Sequence, residues 1–322
     1  MNFRTEVCIP DSEKKIQPDD RIFSIGSCFA SEISSLLGKG QLQVYNNPFG
    51  TLFSPYSVNQ AVKRLHQAKS YSDEDLITFG GKFISLDHHS SFDTPYAHRT
   101  LERINAEIDA GNAFLQEARW VLITYGTSFI YEFLPKKNLV ANCRKIPSKF
   151  FRKRLLSAEE LNSSIGESVS LLRDICPREA QILLTVSPVR HTKDGFAENT
   201  LSKSKLITAI HEVAHSLEFC TYLPVYEIVM DDLRDYRFYA EDMIHPNNQA
   251  INYIFEKFGN AYFSDETMDF LDENFRIQRA FRHRPTDPSS EDHQHLQQKI
   301  REQIARQQAL VKHKIFQDFI ND

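Results

Sequence analysis

Several protein classes are excluded by what this 322-residue sequence lacks. Its five cysteines are odd in number, scattered and without a C-x-x-C pair, which favours neither a disulfide framework nor a thiolate zinc site. No stretch approaches the ~18 consecutive apolar residues of a membrane-spanning helix. The N-terminus has no apolar segment of the secretory-signal kind. These absences predict a cytoplasmic protein with reduced thiols and no membrane contact.

The sequence also lacks a basic excess. Its net charge is −5 and its pI about 6.2, so it shows no electrostatic footprint of a nucleic-acid partner. Hydrophobic residues make up 41% of the chain. At this length, that content predicts one large domain, or one domain with an appendage.

Short apolar runs alternate with segments of helical periodicity. Strands are predicted at 21–26, 41–46, 120–126, 181–188 and 219–224, with helices between them and hairpins at 77–86 and 129–143. Such alternation is typical of an α/β fold. We expect a three-layer α/β/α sandwich whose parallel sheet has about five strands in flavodoxin-like order.

The C-terminal part has a different character. Residues 1–262 are predicted to form the main domain, and 263–322 a charged, helical extension with a linker at 285–292. Its apolar residues form one stripe, at positions 296, 300, 304, 310, 311 and 315. The stripe predicts either a helix that packs back on the domain or one that joins two copies in a homodimer.

Ligands of open parallel sheets bind at the carboxyl ends of the strands. Four groups of residues follow predicted strands: Ser27, 47–50, 127–128 and 190–191. Ser27 also precedes a helix, whose first N–H groups could stabilise an oxyanion. Taken alone, this position is more typical of an ordinary helix-capping serine.

A second candidate lies near the end of the main domain. Asp242 and His245 stand three residues apart, just before a predicted helix. The Asp carboxylate can accept from the imidazole Nδ1–H, while Nε2 faces a serine as general base. The alternative is a helix-capping Asp beside a surface His.

Together these segments resemble the GSCFA family, a branch of the SGNH (GDSL-type) hydrolases. The matching segments are GSCFA (26–30), NPFGTLFSP (47–55), HHSSFD (88–93), YGTSFIYE (125–132), VSPVRHTKDGFAENTLSKSKL (186–206) and YEIVMDDLRDYRFYAEDMIHP (226–246). They span residues 20–260. The resemblance implies the SGNH fold and a serine esterase or acyl hydrolase, acting on a small-molecule or carbohydrate ester, often an O-acetyl group. It implies no cofactor and no metal.

The resemblance also implies roles for single residues. Ser27 matches the nucleophile, and Asp242 with His245 match the family's Asp-x-x-His pair. The N–H groups of Ser27 and Gly50 would form the oxyanion hole. SGNH enzymes usually add an Asn side chain from a Gly-x-Asn block, which here reads GTS (126–128), so the candidate substitutes are Ser128, Thr127 or a backbone N–H.

Other positions are weighed beside these. His89, Ser90, Thr127 and Arg190 are predicted to line the substrate site, although Arg190 could instead pair with an acid among 226–242. Cys28 is expected to be buried against the sheet, and Lys203 to be solvated.

Three other functions stay open. An acyltransferase could use the same triad. The missing Asn of the Gly-x-Asn block would suit a non-catalytic, carbohydrate-binding member of the fold. The string HEVAH (211–215) is the zinc-peptidase motif, with His211 and His215 as ligands and Glu212 as base. Because its helix is predicted to cover a sheet face, partly buried histidines are favoured over zinc.

Overall fold

The computed structural model describes residues 5–281 and 291–317. Its strands are β1 Arg21–Gly26, β2 Gln43–Asn46, β3 Ile77–Phe79, β4 Lys82–Ile84, β5 Trp120–Tyr125, β6 Phe129–Phe133, β7 Asn138–Val140, β8 Phe151–Leu155, β9 Gln181–Val186 and β10 Cys220–Tyr222. Its helices are α1 Cys28–Lys39, α2 Pro55–His66, α3 Ala97–Leu115, α4 Ala158–Ile175, α5 Phe196–Ala214, the short α6 Val225–Glu227, α7 Asn248–Tyr262, α8 Asp265–Phe281 and α9 Glu291–Gln308.

Five strands form the central sheet, in the order β10-β9-β5-β1-β2, and all its pairs are parallel. Counted along the chain this is the 2-1-3-4-5 order of flavodoxin-like folds. The predicted α/β sandwich is therefore confirmed. The two flanking sheets are the β3–β4 hairpin and a three-stranded sheet, β7-β6-β8. The third strand of that sheet, β8, was not predicted.

Helices cover both faces of the sheet. The core on one face joins the sheet to α2, α3, α4 and α5. The core on the other face joins it to α1, α7, α8 and α9. Because β1, β5 and β9 are buried on both faces, they read as continuous apolar runs rather than alternating ones.

The C-terminal helices share the second core. Phe270 and Leu271 of α8 and Ile300 and Ile304 of α9 are buried in the same cluster as residues of α1 and α7. Of the predicted stripe, Leu310 is 61% exposed. The boundary at 262/263 falls between α7 and α8, and most of the predicted linker lies outside the described residues. Pairing of two copies through α9 stays a prediction.

In the part of the chain that the structure describes, no helix combines the length and hydropathy needed to cross a bilayer.

Candidate active site

Ser27 lies where β1 ends and α1 begins. It occupies the N-cap position with an extended backbone, but its side chain makes no capping hydrogen bond. The residue is 1% exposed, and its Oγ has no hydrogen-bond partner among the described residues. A buried hydroxyl left without a partner is costly and uncommon. The ordinary role of a helix-capping serine therefore does not explain this side chain.

The turn before Ser27 is fixed by Asn47. The Gly26 N–H donates to Asn47 Oδ1 at 2.7 Å, and Asn47 Nδ2 donates to Ser31 Oγ at 2.9 Å. Gly26 has a φ of +138°, and a Cβ there would lie 2.1 Å from the Thr124 carbonyl oxygen. Only glycine fits this conformation and this close contact between β1 and β5. The sequence placed Asn47 at a strand end without giving it a role.

Asp242 and His245 form the predicted pair. His245 Nδ1 lies 2.7 Å from Asp242 Oδ2, and Asp242 Oδ1 accepts the N–H groups of Ile244 and His245 at 2.9 and 3.0 Å. These hydrogen bonds lower the pKa of Asp242 to about 2, and the one from the His245 backbone N–H has the largest effect. A carboxylate that stays ionised can fix the imidazole with its proton on Nδ1.

Arg190 ties this pair to the carboxyl edge of the sheet. Arg190 follows β9, its N–H donates to the Ile244 carbonyl at 3.2 Å, and its side chain donates to the Met243 carbonyl at 3.1 Å. The guanidinium also lies over the rings of Phe196 and Tyr239. Arg190 thus clamps the turn that carries His245, and no ion pair to an acid is among its contacts in the described residues.

The Ser27–His245 hydrogen bond of a closed triad is not formed in this structure, since Ser27 Oγ has no partner among the described residues. Catalytic hydrogen bonds often close only when substrate binds. The triad as a unit therefore stays a prediction, while its Asp–His half is formed.

The predicted oxyanion donors are engaged within the fold. The Ser27 N–H donates to the Thr124 carbonyl at 2.9 Å, and the Gly50 N–H donates to the Asn47 carbonyl at 2.7 Å. In the first turn of α1, the Ala30 N–H donates to the Ser27 carbonyl at 2.9 Å, while the first N–H groups of a helix generally lack a carbonyl four residues earlier. Ser27 and Gly50 can donate to an oxyanion only if each N–H shares its hydrogen bond between its present carbonyl acceptor and that oxygen. Their role as oxyanion donors therefore stays a prediction.

Ser128 is turned away from this edge. It is fully buried, its Oγ donates to Ser202 Oγ at 3.1 Å, and its N–H donates to the same oxygen at 2.8 Å. Thr127 Oγ1 lies 2.9 Å from Ser202 Oγ as well. Both side chains pack against α5, so the predictions of Ser128 as oxyanion donor and Thr127 as substrate ligand have no support in this geometry.

His89 packs directly on Gly50. A Cβ on Gly50, whose φ is +73°, would lie 2.2 Å from His89 Cβ, and the His89 N–H donates to the Phe49 carbonyl. His89 and Ser90 are both exposed. The structure thus brings the histidine-serine segment against the second matching segment, and contact of His89 and Ser90 with substrate stays a prediction.

Two residues beside Gly126 were given no role by the sequence. Lys203, expected to be solvated, is 1% exposed, and its Nζ donates to the carbonyls of Gly126 (2.7 Å) and Ser187 (2.6 Å). Burial lowers its pKa to about 7. The ring of His191 also lies beside Gly126, with Nε2 3.2 Å from where a Cβ on Gly126 would be. Both residues lie in the matching segment 186–206, and His191 also follows a predicted strand, which are the signals that the sequence offered.

Cys28 is partly exposed rather than buried, which corrects the expectation for it. Burial is still the largest influence on its thiol and raises the pKa, although contacts with its own N–H and with Thr51 oppose this. A thiol with a raised pKa has little thiolate at neutral pH and is a poor nucleophile. Ser27 is therefore the better candidate of the two neighbours.

The HEVAH residues lie at the far end of α5. His211 and His215 are exposed, so the expectation of partly buried histidines is wrong. His211 packs on the Tyr222 ring at 4.6 Å, and the Glu212 carboxylate accepts from Asn162. That end of α5 precedes β10 and so lies at the amino edge of the sheet, opposite Ser27. Across the described ranges, no group of three or more His, Cys, Asp or Glu residues could hold a metal ion.

Comparisons with known proteins add a family. The model of the GSCFA family matches residues 21–258. A search of curated proteins finds no match.

Several solved structures share a distant likeness. The catalytic domain of Streptococcus pneumoniae peptidoglycan O-acetyltransferase A is 11% identical, with a TM-score of 0.37 over 76% of this chain and 93% of that one. A DUF4886 family protein from Bacteroides uniformis is 11% identical, with a TM-score of 0.41 over 89% and 95%. A Corynascus thermopiles carbohydrate esterase of family 2 is 11% identical, with a TM-score of 0.38 over 82% and 69%. Similarity this distant carries no argument about the site.

Proposed function

Because the chain belongs to the GSCFA family, we propose that it is a serine-dependent acyl hydrolase of the SGNH kind. The observation that carries the proposal is the Asp242–His245 pair, formed at 2.7 Å on a turn that Arg190 holds to the carboxyl edge of the sheet. At that same edge, the buried Ser27 hydroxyl is left without a partner. A nucleophile, a base and its orienting acid are thus available on one side of the molecule.

The proposed reaction has two steps. Ser27 Oγ attacks the ester carbonyl while its proton passes to His245 Nε2, and the tetrahedral intermediate collapses as that proton is given to the leaving alcohol. Water then attacks the acyl-enzyme, His245 takes a proton from the water, and the acid leaves as Ser27 recovers the proton. Asp242 stays ionised and stabilises the imidazolium in both steps.

We propose a carbohydrate ester as the substrate. A groove of about 270 Å³ adjoins the His245 turn and includes Arg190, Tyr236 and Tyr239. Within residues 5–281 and 291–317, Tyr236 and the nearby Phe196 are the most exposed large hydrophobic side chains, at 67% and 64%. Exposed aromatic rings beside a guanidinium suit the apolar faces and hydroxyl groups of sugars. The acyl group is proposed to be small, such as acetyl.

A fluorophosphonate probe tests the serine. We expect the wild-type protein to be labelled on the peptide that contains Ser27, and Ser27→Ala not to be labelled. Cys28→Ala is the matched control, one residue away, and should label like wild type. Absence of labelling in the wild type would refute the proposal and favour a binding-only member of the family.

Acetylated oligosaccharides test the substrate. We expect acetate release from an acetylated xylo-oligosaccharide, with a KM that rises in Tyr236→Ala while p-nitrophenyl acetate hydrolysis is unchanged. Equal KM values for the variant and the wild type would contradict the carbohydrate proposal and leave the hydrolase proposal intact. Acyl transfer to an added sugar, instead of release to water, would identify an acyltransferase.

A further inference from the structure

One part of the proposed mechanism lacks a residue. The Asn of the usual Gly-x-Asn block is absent, and Ser128, which takes its position, donates to Ser202 inside the fold. An oxyanion that forms on attack by Ser27 therefore needs a donor from another element. Losing one such donor costs roughly 10²–10³ in rate, so a functional site is expected to hold a replacement.

His191 occupies the space beside this block. Its Nε2 lies 3.2 Å from the position that a Cβ on Gly126 would take. Gly126 does not have a positive φ, so its backbone does not require glycine. What requires glycine is space, because a side chain at 126 would push against the His191 ring and against Phe53. Gly126, the first residue of the block, therefore leaves space for the His191 imidazole.

Two consecutive residues, Leu52 and Phe53, connect the surroundings of His191 to Ser27. The Leu52 N–H donates to the carbonyl of Gly26, which directly precedes Ser27, at 2.8 Å. The next carbonyl, that of Phe53, accepts the Gly126 N–H at 2.7 Å, and the Phe53 ring meets the His191 ring edge-on at 5.5 Å. Ser27 and His191 therefore border the same short segment.

The His191 imidazole is suited to donate. Its Nε2 is buried and has no hydrogen-bond partner among the described residues, and the His191 backbone N–H, which donates to Asn199 Oδ1 at 2.9 Å, holds the residue in place. Burial, the nearby charges of Lys203 and Lys153, and His245 lower its pKa to about 4, against an opposing influence of Asp194. The ring is then neutral at pH 7, and a neutral imidazole has one N–H to donate and cannot take up the charge of a base.

We propose that His191 donates a hydrogen bond from Nε2 to the oxyanion that forms when Ser27 attacks, in place of the missing Asn amide of the Gly-x-Asn block. His191 keeps its proton throughout, and His245, which has a carboxylate partner, remains the base. This inference rests on the proposed function. It assigns the ring the tautomer with hydrogen on Nε2, and it makes His191 a catalytic residue that touches the reacting oxygen.

The experiment compares His191→Phe, which cannot donate, with His191→Gln, whose amide can. The readouts are the second-order rate of fluorophosphonate labelling of Ser27 and kcat for p-nitrophenyl acetate. We expect His191→Phe to lose roughly 10²–10³ in both with KM unchanged, and His191→Gln to recover at least tenfold of that loss. The shape of the pH–rate profile should be the same in the His191 variants and the wild type. His98→Phe, a surface histidine of α3, is the matched control.

The outcomes separate this inference from the proposed function. If the wild type is not labelled, the hydrolase proposal fails and the inference fails with it. If the wild type is labelled and His191→Phe reacts within threefold of its rate, the inference alone is overturned. It is also overturned if both His191 variants lose equal activity and equal melting temperature, since that pattern indicates a packing role.

Discussion

Asp242 accepts three hydrogen bonds from the segment that it begins: two from the backbone N–H groups of Ile244 and His245, and one from the His245 ring. The same carboxylate thus folds the turn and orients the imidazole. Both side chains are 46% exposed, so the pair lies at the surface, within reach of a substrate.

Asp242→Asn is expected to lower kcat on the order of 10³–10⁴-fold with little change in melting temperature. The amide can keep the backbone bonds through its oxygen, but its NH₂ group would face His245 Nδ1 and favour the wrong tautomer. Glu241→Gln, the exposed neighbour, is the matched control and should behave as wild type. Activity of Asp242→Asn near the wild-type level would mean that His245 needs no carboxylate.

Arg190→Met is expected to loosen the His245 turn. The variant loses the hydrogen bond to the Met243 carbonyl, and a charged hydrogen bond contributes about 1.5–3 kcal/mol, so activity should fall about tenfold or more. Amide hydrogen exchange of residues 242–246 should become faster, which checks the cause without reference to activity. Arg178→Met, an exposed arginine that precedes β9 and so lies at the opposite edge of the sheet, should leave both measurements unchanged. Unchanged exchange in Arg190→Met would contradict the clamp.

His88 is expected to make the protein acid-sensitive. Its ring is buried, stacked on Phe49, with Nδ1 2.9 Å from Ser85 Oγ, and burial lowers its pKa from 6.5 to about 3. The unfolded chain therefore takes up a proton below pH 6.5 that the folded chain refuses until about pH 3. Stability is lost as the pH falls through this window, by about 2 kcal/mol at pH 5.

His88→Phe keeps the aromatic packing and removes this titration. Relative to wild type, the variant should gain about 2 kcal/mol in unfolding free energy between pH 7.5 and pH 5. Urea unfolding of both proteins at the two pH values measures the difference, and other titrating groups cancel in it. A difference that does not change with pH would show that His88 is not held neutral.

Lys203 is expected to make the free energy of unfolding depend on pH in the alkaline range. Its pKa is lowered from 10.5 to about 7, so between these values the unfolded chain binds a proton that the folded chain has released. Stability then rises with pH from about 7 upward. In Lys203→Met this rise should be absent, so the wild type should gain on the variant from pH 7 to 9.5 in urea unfolding. Parallel curves would show that Lys203 stays charged when buried.

Gly26→Ala is expected to destabilise the fold by about 3 kcal/mol or more, because its Cβ would strike the Thr124 carbonyl and its φ is unfavourable for alanine. Gly166→Ala is the control. That glycine lies in α4 with nothing within 4 Å of the added Cβ, so the substitution should stabilise by about 0.5–1 kcal/mol. Denaturant midpoints compare the two, and equal midpoints would refute the constraint at Gly26.

The sequence by itself determined the features that depend on local pattern. Apolar runs that alternate with helical segments predicted the five core strands and their parallel direction, because burial on both faces leaves few polar residues in a strand. Asp242 and His245 stand three residues apart, so one turn of chain can bring them together. Ser27 could be placed at a strand end for the same local reason, and Thr124, whose carbonyl accepts the Ser27 N–H, also lies in a predicted strand, 120–126.

Only the tertiary structure decided where long-range packing directs a side chain. Lys203 was expected to be solvated because of its charge, but it is buried, and two carbonyls that follow neighbouring strands accept hydrogen bonds from its Nζ. Ser128 was expected at the site, but its hydroxyl donates to Ser202 of α5, 74 residues away along the chain. In each case the partner is far along the chain. No periodicity encodes such a pairing, whose direction is set by packing of α5 against β5 and β9.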